Sequence, residues 1–78
     1  MFTTIYVYLL DEGSDAWRPV DAILIKDSIY QINPDAVIPE TETWQFLPGD
    51  YVRCEEKHWS KGNSIVAIAK VEFTGQGK

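Results

Sequence analysis

Hydrophobic residues in this chain recur at every second position in several short runs, and polar turn signals separate the runs. No stretch carries the 3.6-residue repeat of an amphipathic helix. The clearest run lies near the C-terminus, where Ile65, Ala67, Ala69, Val71 and Phe73 alternate with polar neighbours such as Lys70 and Glu72. Successive strand side chains point to opposite faces, so this spacing predicts a strand with one apolar face and Lys70 and Glu72 toward solvent. Thr3–Leu10 alternates differently: Ile5, Val7 and Leu9 share one face, and Tyr6, Tyr8 and Leu10 share the other. Both faces are apolar, but the tyrosine hydroxyls need water or a partner. Such a strand is central in a sheet, or its tyrosine face is covered by a loop.

The remaining runs follow the same logic. Residues 20–26 and Ile29–Ile32 read as two strands joined by a tight turn at Asp27-Ser28. Residues 33–42, with two prolines and three acids, form a loop in which only residues 35–37 suit a single helical turn. Residues 44–47 make a short strand that Pro48-Gly49-Asp50 ends, with Pro and Gly at the two central positions of a type II turn. Residues 51–58 are a strand with Val52 and Cys54 inward and Tyr51, Arg53, Glu55 and Lys57 outward. A longer hairpin loop with Gly62-Asn63 at its tip leads to the last strand. Five or six short strands in so short a chain imply an all-β fold, a small antiparallel SH3-like barrel. Alanines on the last core face allow the close approach that barrel closure requires. Residues 1–73 make the single domain, and 74–78 a flexible tail.

The chain has 78 residues, 12 acidic and 7 basic side chains, and a formal charge of −5. A domain this small buries only about 60% of its unfolded surface, so its margin of stability is narrow. The acidic balance, with its basic residues scattered, disfavours nucleic acid and anionic lipid. One cysteine, Cys54, precludes an internal disulfide and fits a reducing compartment. The N-terminal apolar run lacks a basic flank and is too short to span a bilayer. The expectation is a cytoplasmic protein, a monomer or a weak homodimer through the 51–58 edge.

The chemistry-bearing residues assemble poorly. Cys54 and His58 share a strand face, but four residues of strand separate them by about 13 Å. A nucleophile and its base need hydrogen-bond contact, about 3 Å. One Cys and one His cannot build a zinc cluster, and "DEGSD" at 11–15 fails the calcium-loop pattern, which needs Gly and Glu where Ala16 and Ala22 stand. Glu55 and Glu56, being adjacent on a strand, diverge. A barrel of this size fills its interior with side chains and leaves no substrate cleft. These observations predict no catalytic residue, no metal and no cofactor.

The connector "DEGSDAWRPV" at 11–20 is the segment that asks for a role. Gly13 permits the turn after Leu10. Pro19 fixes φ, pushes Arg18 into an extended conformation and admits the chain to the next strand at an edge. Asp11 or Asp15 can hydrogen-bond loop amides or pair with Arg18. Trp17 is either the lid on the Tyr6/Tyr8 face or an exposed anchor for a partner, and Arg18, pointing the other way, is an exposed contact. Trp44 and Phe46 alternate on one face as core residues. Trp59, in the hairpin loop, is exposed.

The run "YVYLLDEGSDAWRPVDA" at 6–22, Tyr30, "WQFLPGDYVRCE" at 44–55 and the final Val/Ala strand resemble a group of short uncharacterised bacterial proteins over nearly the whole chain. Asp27-Ser28 stands where that pattern has Asp-Gly. The resemblance implies no activity. The function expected is that of a non-enzymatic protein-binding or accessory module. It would contact a partner protein through Asp11, Glu12, Asp15, Trp17 and Arg18 of the 11–19 loop, aided by Trp59. The alternative is a small acidic inhibitor or immunity-type protein whose Asp11, Glu12, Asp15, 40–42 and 55–56 acids imitate phosphates. A small enzyme is the weakest reading.

Overall fold

Alternating apolar residues fold into six strands: β1 (Thr3–Leu10), β2 (Trp17–Lys26), β3 (Ile29–Ile32), β4 (Thr43–Trp44), β5 (Tyr51–Trp59) and β6 (Gly62–Lys70). The structure is a computed structural model that describes residues 1–11, 13, 15–59 and 62–72. Antiparallel pairing runs from β1 to β2, β3, β5 and β6 in turn, and β6 returns to β1 at Tyr6 and Val66. Five strands therefore close into a ring. This is the small all-β barrel that the alternation implies.

One seam is parallel, where an all-antiparallel barrel was expected. The reason is geometric. In an up-and-down ring of five, the first and last strands run the same way, so their contact has to be parallel. The short β4 hangs outside the ring on the end of β1, with Leu9 opposite Trp44. The Gln45 amide extends that pairing by donating to the Tyr8 carbonyl at 2.9 Å.

The core takes one side chain in two from each strand. Ile5, Val7 and Leu9 of β1 meet Val20 and Ala22 of β2, Ile32 of β3, Val52 and Cys54 of β5 and Ala67 of β6. Trp44 and Phe46 cap this cluster from β4 and the segment after it, in the core role the sequence implies.

The unbroken inner face expected on the last strand is corrected. Cys54 lies opposite Ala67, but its neighbour Arg53 lies opposite Ala69, so Ile68 is an extra residue on β6. This β-bulge reverses the alternation. Ala67 is buried, while Ala69 shares the outer face with Arg53 and is half-buried. Lys70 reaches Asp50 at 3.8 Å. A second bulge, at Ile25, precedes the β2–β3 turn, where Asp27 takes a φ of 49° that Asp tolerates better than most residues.

The other turns follow their residues. The Asp50 amide donates to the Leu47 carbonyl at 3.0 Å and Gly49 has φ 89°, the type II turn expected of Pro-Gly. The Asp50 carboxylate accepts in turn from the Leu47 amide at 2.9 Å. The 33–36 segment forms a β-turn closed by Ala36 N–H on Asn33 O, with the Asn33 side chain accepting from the Asp35 amide. No helix forms there. Pro19 lies on β2 where β3, which begins to pair only at Ala22, is not alongside. The missing N–H therefore costs no ladder bond on that edge. Gly62 and Asn63, expected at a loop tip, belong to β6. The proposed tail 74–78 lies outside the described residues, as does Phe73. Among the described residues, no helix is long and apolar enough to cross a membrane.

Candidate functional site

Strand alternation leaves a second set of side chains pointing away from the core, and on β1 these include Tyr6 and Tyr8. The register sets Trp17, the first residue of β2, directly opposite Tyr8. Their rings meet edge to face at 5.0 Å between centroids. Trp59 arrives from the far end of β5, because the β5–β6 hairpin runs beside β1 at the parallel seam. It packs edge to face on Tyr6 at 5.2 Å and tilted against Trp17 at 6.0 Å. The four rings form one continuous cluster across the outside of the barrel, all half-buried. Val66, paired with Tyr6 across the seam, is fully buried although it points to this outer side.

None of the four rings belongs to the core cluster. The interior is complete without them. The aromatics form a separate layer, and edge-to-face pairs of this kind each contribute about 0.5–1.5 kcal/mol beyond the area they cover.

The 11–16 loop borders the cluster. Asp11 (φ 62°) and Gly13 (φ 75°) turn the chain in left-handed conformations, and the Leu9 amide donates to the Ala16 carbonyl at 2.9 Å to close it. The Tyr8 hydroxyl donates to Asp15 Oδ1 at 3.1 Å. That hydrogen bond, with the carboxylate's charge, holds the Tyr8 phenol above its ordinary pKa. Asp15 thus pairs with the tyrosine and not with Arg18. Glu12 lies outside the described residues.

Arg18 points to the opposite face of β2 from Trp17, as an extended backbone requires. It is not the free exposed contact expected of it. Its Nε donates to Glu42 Oε1 at 3.1 Å and its Nη2 to Glu42 Oε2. The buried Trp44 indole N–H donates to the same Glu42 Oε1 at 3.0 Å. These donors hold the Glu42 carboxyl below the usual carboxylate range, the Arg18 bond contributing most, and raise the Arg18 guanidinium in return. Arg18, Glu42 and Trp44 therefore tie the 39–44 segment to β2. Beside them a cavity of about 260 Å³ opens between the uncovered edge of β2 and the 33–39 segment, lined in part by Pro19, Val37 and Trp44.

Of the residues singled out in the sequence, Asp15, Trp17 and Trp59 come together, and Arg18 does not join them. Trp59 is not the exposed loop residue that the sequence implies. It ends a strand that continues one residue past His58, and strand parity places it on the same face as Lys57 and Glu55. The sequence marks Tyr6 and Tyr8 as a face in need of cover and not as site residues. The missing signal was the seam, which brings β6 and its hairpin partner to β1.

The Cys54–His58 pair is not assembled. Both lie on the continuous β5, with Cys54 buried and His58 exposed. Burial pushes the Cys54 thiol up to about 11, so little thiolate exists near neutrality. Among the acids that a phosphate mimic would display, Glu42 pairs with Arg18 and Glu55 with Arg53 at 3.0 Å. Among the described residues, no group of three His, Cys, Asp or Glu side chains could hold a metal ion. Comparison with protein-family models, with curated proteins and with solved structures returns no match.

Proposed function

We propose that this chain is a non-enzymatic protein-binding or accessory module, and that its partner docks on the Tyr6, Tyr8, Trp17 and Trp59 face and the adjoining 11–19 loop. One observation carries the reading. Four aromatic rings sit together on the outside of a barrel whose core is already filled without them. Tyrosine and tryptophan supply large contact area at low conformational cost and dominate the energetics of protein interfaces. Arg18 and Glu42 act in support, fixing the start of β2 and hence the position of Trp17.

The test is capture of a partner from lysate by the tagged protein and by its Trp17→Ala, Trp59→Ala and Leu24→Ala variants, each first shown to be folded by its melting curve. Leu24 is an exposed hydrophobic residue away from the cluster. A partner lost with either tryptophan and kept with the Leu24 variant supports the reading. Capture indifferent to both tryptophans, or no capture at all, removes it.

A further inference from the structure

The partner's chemistry can be specified further, on the premise that the aromatic face is the docking surface. We infer that this face takes a cationic segment of the partner, an arginine or lysine side chain lying against the indole of Trp17 or Trp59 with Asp15 as its counter-ion. Three observations converge. Indole is the best natural acceptor for a cation over its face, and two indoles lie 6.0 Å apart here, both half-exposed. Asp15 stands at the edge of the cluster, tied to it by the Tyr8 hydroxyl, and forms no ion pair with any described residue. The chain as a whole carries −5, which draws a basic partner toward it.

The charges on the strands bearing the rings agree. β1 has no basic side chain. On β2, Arg18 faces the other way onto Glu42, and Lys26 lies at the far end. On β5, Arg53 is paired with Glu55, which leaves Lys57. Among the described residues, that one ammonium is set against Asp15 and the exposed Asp11 of the same loop. A carboxylate hydrogen-bonded to the cluster and in no ion pair with a described cation favours a positive partner over an apolar one.

The probe is an acetylated, amidated tri-arginine peptide, with tri-glutamate and hexaproline peptides as comparisons, titrated against the intact ¹⁵N-labelled protein. The readout is the three indole N–H resonances. Tri-arginine is expected to shift the Trp17 and Trp59 signals and leave Trp44, which is buried and bonded to Glu42, in place. Asp15→Asn is expected to weaken that binding by about two- to fivefold, the value of an exposed charge contact, as is added salt. Asp15 is exposed, so the variant folds, and an unchanged melting curve checks this. No shift with tri-arginine, an equal shift with tri-glutamate, or a response to hexaproline alone overturns the inference. If lysate capture depends on the tryptophans while tri-arginine is silent, the docking face stands and its cationic specificity falls.

Discussion

Leucine placed at Ala67 and at Ala69 should have unequal effects, and the difference reads out the bulge in the β5–β6 pairing. Unbroken alternation along the last strand would put both alanines inside. The bulge at Ile68 puts Ala67 inside, 2% exposed and opposite Cys54, and turns Ala69 outward opposite Arg53. Ala67→Leu forces three extra carbons into a closed interior walled by five strands that cannot separate without breaking the ring. Overpacking of this kind costs about 1–3 kcal/mol. Ala69→Leu adds the same carbons to a half-exposed outer surface, where the change stays within about 0.5–1 kcal/mol. Urea denaturation of the two variants and the parent decides the matter. With a slope near 1 kcal/mol per molar for a chain of this size, the Ala67 variant should unfold about 1–3 M earlier and the Ala69 variant within about 1 M of the parent. If Ala69→Leu is the more damaging of the two, the bulge is misplaced.

Other consequences follow from the same geometry. The depressed Glu42 carboxyl contributes stability that is fully present above the ordinary carboxylate pKa and is lost as pH falls through its lowered native value, so Glu42→Gln should flatten the acid limb of a melting-temperature profile. A Gln variant with the parent's acid limb would show that the Arg18 pair does not matter to stability. Cys54, with its thiol near 11 and its side chain buried, should react with iodoacetamide at pH 8 about a hundredfold more slowly in the native protein than in urea. Equal rates would mean that the core opens at β5. Trp17→Ala and Trp59→Ala, at half-buried positions, should each cost about 1–3 kcal/mol, with a coupling of about 0.5–1.5 kcal/mol in the double-mutant cycle. Strict additivity would show that the two indoles do not pack on each other in solution.

The strands and most turns were legible in the sequence because they depend on local rules. Period-two spacing marks Ile5, Val7 and Leu9 as core, and Pro48-Gly49 specifies its turn through fixed φ on one residue and positive φ on the next. What failed were features set by distant pairing. A bulge leaves no mark in a run such as "IVAIAK", where either parity is apolar, so the reversal at Ile68 was invisible. Arg18 reads as a free cation until the 33–42 loop folds back and brings Glu42 to it from 24 residues away. Trp59 reads as a loop residue until the parallel seam sets its hairpin against Tyr6. The tyrosine face itself was legible. Its cover was not.

Site-specific photo-crosslinking tests the docking face most directly. A benzoylphenylalanine would replace, one at a time, Leu10 and Lys57, exposed positions on the strand faces that carry Tyr8 and Trp59, and Leu24 and Val37, exposed elsewhere. Irradiation in lysate should join a partner to the Leu10 and Lys57 probes and leave the other two unlinked. A partner captured from Val37 alone would move the docking site to the groove beside Arg18 and Trp44, and one captured from Leu24 alone would contradict the aromatic face altogether.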